Sequence, residues 1–193
     1  MSFPTSPIFR TVNLKSESPT LVSEAASGKL QARQIAGQRW SFTASYPPMT
    51  RTEFAPVLGF ILQQRGRLNT FTVQIPIVKD SLSSATGTLA ANGSAAAGVT
   101  SITVDGVTGA LEVGDLVKFN GHDKVYMVVD TTETTGNTTT MVIEPPLRSG
   151  VADNETIAYN SVPMKVRLNN DVQEYGIGVN SLISYELDFI EAI

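Results

Sequence analysis

Few residues of this 193-residue chain are equipped for chemistry, and their spacing does not favour it. The single histidine, His122, lies in Asn120-Gly121-His122-Asp123, a turn composition. With no cysteine and no second histidine it lacks a partner for base catalysis or transition-metal binding, so a surface turn is expected. Glu186 and Asp188, two apart on a predicted strand, share a face and imitate a carboxylate pair. Glycosidic chemistry instead needs its carboxylates flanking a bond from different elements, and the wet face of an edge strand produces the same spacing. Asp153 and Glu155 are acidic enough for a weak calcium site but lack the Gly-bearing spacing of a hand-type loop, so a solvated turn is expected. Trp40, Phe42 and Tyr46 form either an aromatic sugar platform or the core face of a sheet, and their period of two favours the core. No nucleophile elbow, phosphate loop or His-Glu-x-x-His motif is present. No catalytic residue, metal or cofactor is expected.

Composition narrows the field further. The chain has 14 basic and 18 acidic residues, a formal charge of −4, and its Lys and Arg are scattered singly. Phosphate binding requires clustered basic side chains, so a nucleic-acid binder is disfavoured. With 41% hydrophobic residues the chain can bury a core. The first residues lack the basic and apolar regions of a leader peptide, and no run approaches the roughly 18 apolar residues of a membrane span. A soluble protein made in a cytoplasm is expected. Three sequons, at Asn92, Asn137 and Asn154, mark loops.

The elements that must position these residues are mostly strands. Residues 1–28, with Pro4, Pro7 and Pro19 among Ser and Thr, read as an extended arm with one strand that needs a surface to lie on. From Lys29 to Tyr46 the pattern alternates, predicting a strand pair turned near Ala36-Gly37 and closed by Pro47-Pro48. Thr50-Arg51-Thr52-Glu53 has the form of a capping box. Phe54, Val57, Leu58, Ile61 and Leu62 then form one helical stripe, with Gln63, Gln64 and Arg65 on the wet side and Gly66 as an αL cap. Pro56, inside that stripe, predicts a kink or a late start. Phe71, Val73 and Ile75 alternate as another strand.

Residues 80–98, built from small and polar side chains, read as a linker or flexible hairpin. Residues 99–161 read as a small β-barrel or sandwich, with strands at 100–104, 116–119, 125–129 and 141–143, turns at Gly114-Asp115 and Asn120-Gly121, and a Thr-rich tip over 130–138. Met164, Val166 and Leu168, then Ile183, Tyr185, Leu187 and Phe189, return to the first sheet. The expected fold is mainly β of the α+β kind. A discontinuous domain of 29–79 plus 162–193, with one flanking helix, is interrupted by the barrel-like insertion at 99–161. Edge-prone strands and a polar arm suggest edges completed by a neighbouring copy.

The order of motifs resembles the distal tail and baseplate structural proteins of tailed bacteriophages. The resemblance rests on Ala36-Gly37-Gln38-Arg39-Trp40-Ser41-Phe42, Tyr46-Pro47-Pro48-Met49-Thr50, Arg65-Gly66-Arg67 and Thr70-Phe71. In the insertion it rests on Gly114-Asp115-Leu116-Val117, Lys124-Val125-Tyr126-Met127-Val128 and Ile143-Glu144-Pro145-Pro146-Leu147-Arg148. It implies a tail-tube-like β-sandwich in the discontinuous domain and a self-assembled ring, usually hexameric, in the virion. The implied partners are the tail tube, the hub, and baseplate or fibre proteins, with DNA only passing through the lumen. Trp40, Arg65, Arg67, Glu186 and Asp188 are the candidate interaction residues, the two acids as lining of the bore. A neck, tail-completion or tube-initiator ring is the nearer alternative, and a carbohydrate-binding module using Trp40 or Tyr126 the more distant one.

Overall fold

The computed structural model describes residues 1–35, 37–131 and 138–193. Ala36 of the expected turn, and 132–137 of the expected Thr-rich tip with the sequon residue Asn137, lie outside the described residues. In chain order the strands before the helix are β1 (Thr11–Glu17), β2 (Thr20–Glu24), β3 (Leu30–Gln34) and β4 (Arg39–Ser45). The helix α1 (Arg51–Gln63) follows, then β5 (Phe71–Val73), β6 (Thr86–Ala91), β7 (Ser101–Thr108), β8 (Leu116–Phe119) and β9 (Tyr126–Thr131). The remainder are β10 (Thr138–Glu144), β11 (Ile157–Ala158), β12 (Met164–Leu168), β13 (Tyr175–Ile177) and β14 (Ile183–Glu191). The fold is mainly β, as expected, with one helix among the described residues. The chain forms two compact units, one of Met1–Phe3, Phe71–Lys165 and Ala192–Ile193, the other of Pro4–Thr70 and Val166–Glu191.

The first unit is built around an antiparallel sheet in the order β11-β8-β9-β10-β7-β6. Its two edges nearly close into a barrel. The Ala91 N–H donates to the Glu155 carbonyl at 3.0 Å, and isolated bridges join Ala90 to Thr156 and Ala95 to Val151. Closure removes the free edges that an open sheet would present. Strand alternation sends Leu89, Ile102, Val104, Phe119, Val128 and Ile143 inward to one buried cluster. Residues 80–98, expected as a linker, instead supply β6, with Leu89 and Ala91 buried. Their small side chains suit a tightly curved edge strand, and composition alone cannot tell that use from a flexible tether. The expected hairpin at Asn120-Gly121 does connect β8 to β9, but as a six-residue loop over 120–125 in which Lys124 and Val125 are buried. The start of the chain joins this unit. Ser2 bridges Thr72 in parallel and Phe3 stacks on Phe71 at 5.8 Å.

The second unit holds β1, β4, β14 and the Val166–Leu168 part of β12, in the order β1-β4-β14-β12, with β13 folded onto the start of β14. The expected arm strand is β1, and the surface it lies on is β4, in a register that sets Leu14 opposite Phe42. On the far side of β4, Phe189 of β14 faces Phe42 with ring centroids 4.6 Å apart. A cross-strand aromatic pair of this kind contributes about 0.5–1.5 kcal/mol beyond the area it buries. The strand pair expected within Lys29–Tyr46, turned near Ala36-Gly37, is corrected: β3 pairs with β2 in a separate hairpin turned at Ala25–Lys29. β4 already has both its edges occupied, by β1 and β14, so no edge remains for β3.

Helix α1 begins where the sequence places it. The Glu53 carboxylate accepts the Thr50 N–H at 2.9 Å and the Thr50 hydroxyl at 2.8 Å, and these bonds, the backbone one first, lower the Glu53 pKa. Of the kink or late start expected at Pro56, the late start does not occur: Pro56 sits inside the helix on its exposed side. Phe54, Val57 and Ile61 form the buried stripe, whereas Leu62 is 61% exposed and Gln64, expected on the wet side, is buried. Gln64 turns in, its amide donating to the Phe60 carbonyl one turn back at 2.9 Å. The αL stop is shared between Arg65 and Gly66, both at positive φ.

Candidate assembly surfaces

Three of the five candidate residues come together. Arg67, Glu186 and Asp188 line one polar concavity of the second unit with Asn170, Asp171 and Glu174. The loop over 169–174 is laced to β14 by side-chain hydrogen bonds. Asp188 accepts from the Asn170 amide at 2.9 Å and from the Thr43 hydroxyl at 2.6 Å, and the Tyr185 hydroxyl donates to Gln173 at 2.9 Å. The Asp171 carboxylate accepts the Arg67 N–H at 3.0 Å and packs against Gly66, where an added Cβ would lie 2.6 Å from its oxygen. Gly66 therefore serves two needs, a left-handed backbone and this close approach. Glu186 and Asp188 share a face, as their spacing requires, and Glu186 is exposed. The concavity carries four carboxylates against one guanidinium, an acidic surface.

Trp40 and Arg65 lie apart from this group. Arg65 is exposed beyond the helix, while Trp40 is buried in β4, its backbone N–H donating to the Glu191 carboxylate at 3.1 Å. Tyr126 is also fully buried. The sugar platform suggested for either aromatic therefore has no exposed ring to present, and the core reading of the Trp40 row holds.

His122 is corrected as well. It is 7% exposed, packed against Phe119 and Tyr126. Its Nε2 lies 3.4 Å from the Gly150 carbonyl, which can only accept, and its Nδ1 lies 2.9 Å from the Tyr126 hydroxyl, so in the neutral ring an Nε2–H tautomer donates to the carbonyl and accepts the Tyr126 O–H at Nδ1. The Tyr126 oxygen in turn accepts the Arg148 N–H at 3.1 Å. The turn composition is real, but the imidazole points inward to tie two loops of the first unit. Asp153 and Glu155 lie in a turn as expected: three of their carboxylate oxygens accept backbone N–H groups, and the fourth, Asp153 Oδ2, accepts the Asn154 side-chain amide at 2.7 Å.

The surface that sequence reasoning missed is the β2–β3 ribbon. Every residue of both strands is exposed. The register sets Leu21 opposite Arg33 on one face, and Val22 opposite Ala32, next to Leu30, on the other. Apolar side chains thus project from both faces. The signal was the adjacent pair Leu21-Val22, since neighbours in an extended segment point to opposite sides. A second exposed apolar stretch holds Val172, Tyr175, Ile177 and Val179 around β13. Among the described residues no group of three or more His, Cys, Asp or Glu side chains is placed to hold a metal, and no helix is long and apolar enough to cross a membrane.

Sequence comparison gives the class: a structural component of a bacteriophage tail. The family described as distal tail protein pb9, A domain, N-terminal, matches residues 3–78, and the one described as distal tail protein pb9, B domain, matches residues 82–162. The chain is also 26% identical over 182 residues to distal tail protein pb9 of Escherichia phage T5, covering 92% of this chain and 87% of that protein. It belongs to the bacteriophage distal tail protein family.

Proposed function

We propose that the chain forms a closed, hexameric ring at the far end of the tail, joining the tail tube to the hub and carrying baseplate or fibre proteins outside. The observation that carries this reading is the β2–β3 ribbon, exposed along its whole length with apolar side chains on both faces. A lone two-stranded ribbon is marginal in water. Burying one of its Leu or Val side chains on a neighbour gains about 1.5–3 kcal/mol. Ring closure gives every copy that contact and leaves no ribbon unpartnered. Residues 29–79 with 162–193, joined by β2 of the N-terminal arm, are the proposed ring-forming part, and 99–161 the insertion that recruits outer components. Arg65 and Arg67 contact neighbouring tail proteins, while Trp40, buried in β4, supports the sheet of the same unit. Glu186 and Asp188 line the bore, where negative charge keeps DNA phosphates from binding the wall. Synthesis takes place in the bacterial cytoplasm before assembly.

Native mass spectrometry and negative-stain microscopy of the purified chain test the reading. Wild type forms a closed ring, and Leu21→Asp combined with Leu30→Asp yields a monomer with unchanged thermal melting. A ring that survives both substitutions, or a wild type that stays monomeric at every concentration reached, overturns it. Gold-labelled antibody on intact particles fixes the position, with label at the tail tip supporting the distal ring and label at the neck supporting a connector.

A further inference from the structure

Asparagine followed by glycine or serine is the sequence most prone to spontaneous deamidation. The backbone nitrogen after the asparagine loses its proton and attacks the side-chain Cγ, the Cγ–Nδ2 bond breaks, and ammonia leaves. Water then opens the succinimide to aspartate or isoaspartate. The chain has four such dipeptides, Asn92-Gly93, Asn120-Gly121, Asn160-Ser161 and Asn180-Ser181. Three of them, all in the first unit, share an arrangement that the fold does not require of loops. The attacking N–H donates to a carboxylate: Gly93 to Asp153 at 2.8 Å, Gly121 to Glu155 at 2.8 Å, and Ser161 to Asp80 at 3.0 Å. In the second unit the Ser181 N–H donates instead to the neutral Gly178 carbonyl at 3.0 Å.

We infer that Asp153, Glu155 and Asp80 protect Asn92, Asn120 and Asn160 from deamidation, and that Asn180 is the chain's open modification site. A carboxylate beside an amide N–H holds its proton through a charge-assisted bond and opposes the negative charge that deprotonation would create. Asp153 and Glu155 lie in one turn that is itself anchored, since the Asn154 N–H donates to the Ala91 carbonyl at 2.9 Å and the Ala91 N–H returns to Glu155. Glu155 holds further through its second oxygen, which accepts the Ala152 N–H at 3.2 Å. The Asn92 amide is restrained as well, donating to Asp105 at 3.0 Å. A particle component that persists without replacement gains durability from such guards.

The test is peptide mapping of isoaspartate in the full chain, aged folded at mildly alkaline pH, with denatured chain as reference. In the denatured chain the two Asn-Gly sites react fastest. In folded wild type the order inverts, and Asn180 reacts ahead of the other three. Asp153→Ala accelerates Asn92 alone, Glu155→Ala accelerates Asn120 alone, and Asp80→Ala accelerates Asn160 alone, each by roughly tenfold for the loss of one charge-assisted bond. Folded wild type in which Asn92 or Asn120 leads overturns the inference. So does a variant that leaves its own site unchanged, or one that speeds all sites together, since that reports general loosening. Where an alanine variant melts early, Asp153→Asn and Glu155→Gln, which keep an acceptor without its charge, must fall between wild type and the rate of the denatured chain, and equality with wild type counts against the charge.

Discussion

The rings of Tyr46 and Tyr185 lie parallel, their centroids 6.5 Å apart and their planes within 1°, yet their hydroxyls fare differently. Tyr185 donates to Gln173, whereas the buried Tyr46 hydroxyl has no hydrogen-bond partner. A buried hydroxyl without a partner costs about 1–3 kcal/mol. Tyr46→Phe is therefore expected to leave the fold intact and raise stability by about 1 kcal/mol, while Tyr185→Phe lowers it by about 1 kcal/mol through the loss of its bond. Chemical denaturation of the two variants checks the opposite signs, and a Tyr46→Phe that destabilises would show that the hydroxyl is satisfied in solution.

Burial pushes the pKa of both phenols up, with Tyr185 raising Tyr46 further. The unfolded chain ionises its tyrosines near the ordinary value of about 10, where the folded state still holds these protons. The unfolded state binds fewer protons there, so stability is fully present below that range and falls as pH rises through it. Each retained proton contributes a slope of about 1.4 kcal/mol per pH unit at most, and partial solvent access at these rings reduces it. Denaturant midpoints followed into alkali should show this fall, with a shallower limb in Tyr46→Phe than in wild type.

In the barrel unit the sharpest backbone constraint is a bulge between β6 and β7. The register slips between Gly87 and Ala90, so that Thr88 and Leu89 oppose the single residue Gly106. Gly106 has φ +84°, and a Cβ there would lie 2.2 Å from the Thr88 carbonyl oxygen. Alanine meets both a left-handed backbone and a clash with main chain, which cannot rotate away. Gly106→Ala is expected to destabilise this unit by about 2–4 kcal/mol. Gly37→Ala, in open space with no positive φ, serves as the neutral control in the same melting experiment.

Legibility followed the kind of signal each element carries. The helix start at Thr50-Glu53 and the inward row Ile183, Tyr185, Leu187 and Phe189 were readable because capping and strand alternation are local. Partnership was not local. That β3 joins β2 depends on β4 being occupied on both edges by residues remote in sequence, one of them β14. β6 was hidden because Ala and Gly pack a curved barrel edge and also compose linkers. His122 was misplaced for a related reason: its turn is written in Asn120-Gly121, but its inward tie depends on Tyr126 and Gly150. Of the candidate surface, Glu186 and Asp188 could be set on one face from spacing alone, whereas Arg67 joins them only through the Asp171 loop.

Asp115 offers the test of whether residues 80–98 are truly part of the barrel unit. Its carboxylate is buried and accepts the Leu82 N–H at 2.7 Å, the Glu112 N–H at 2.9 Å and the Ser81 hydroxyl. One side chain thus fastens the start of the supposed linker to the turn before β8. Asp115→Ala leaves these donors without their shared acceptor and is expected to cost about 2–4 kcal/mol. The loss should be local before it is global, with amide exchange at Leu82 and Glu112 accelerating more than at Val104 or Val128 in the barrel core. Asp115→Asn keeps one acceptor oxygen and should fall between the two. If residues 80–98 were a tether, the alanine variant would melt like wild type and exchange at Leu82 would already be fast.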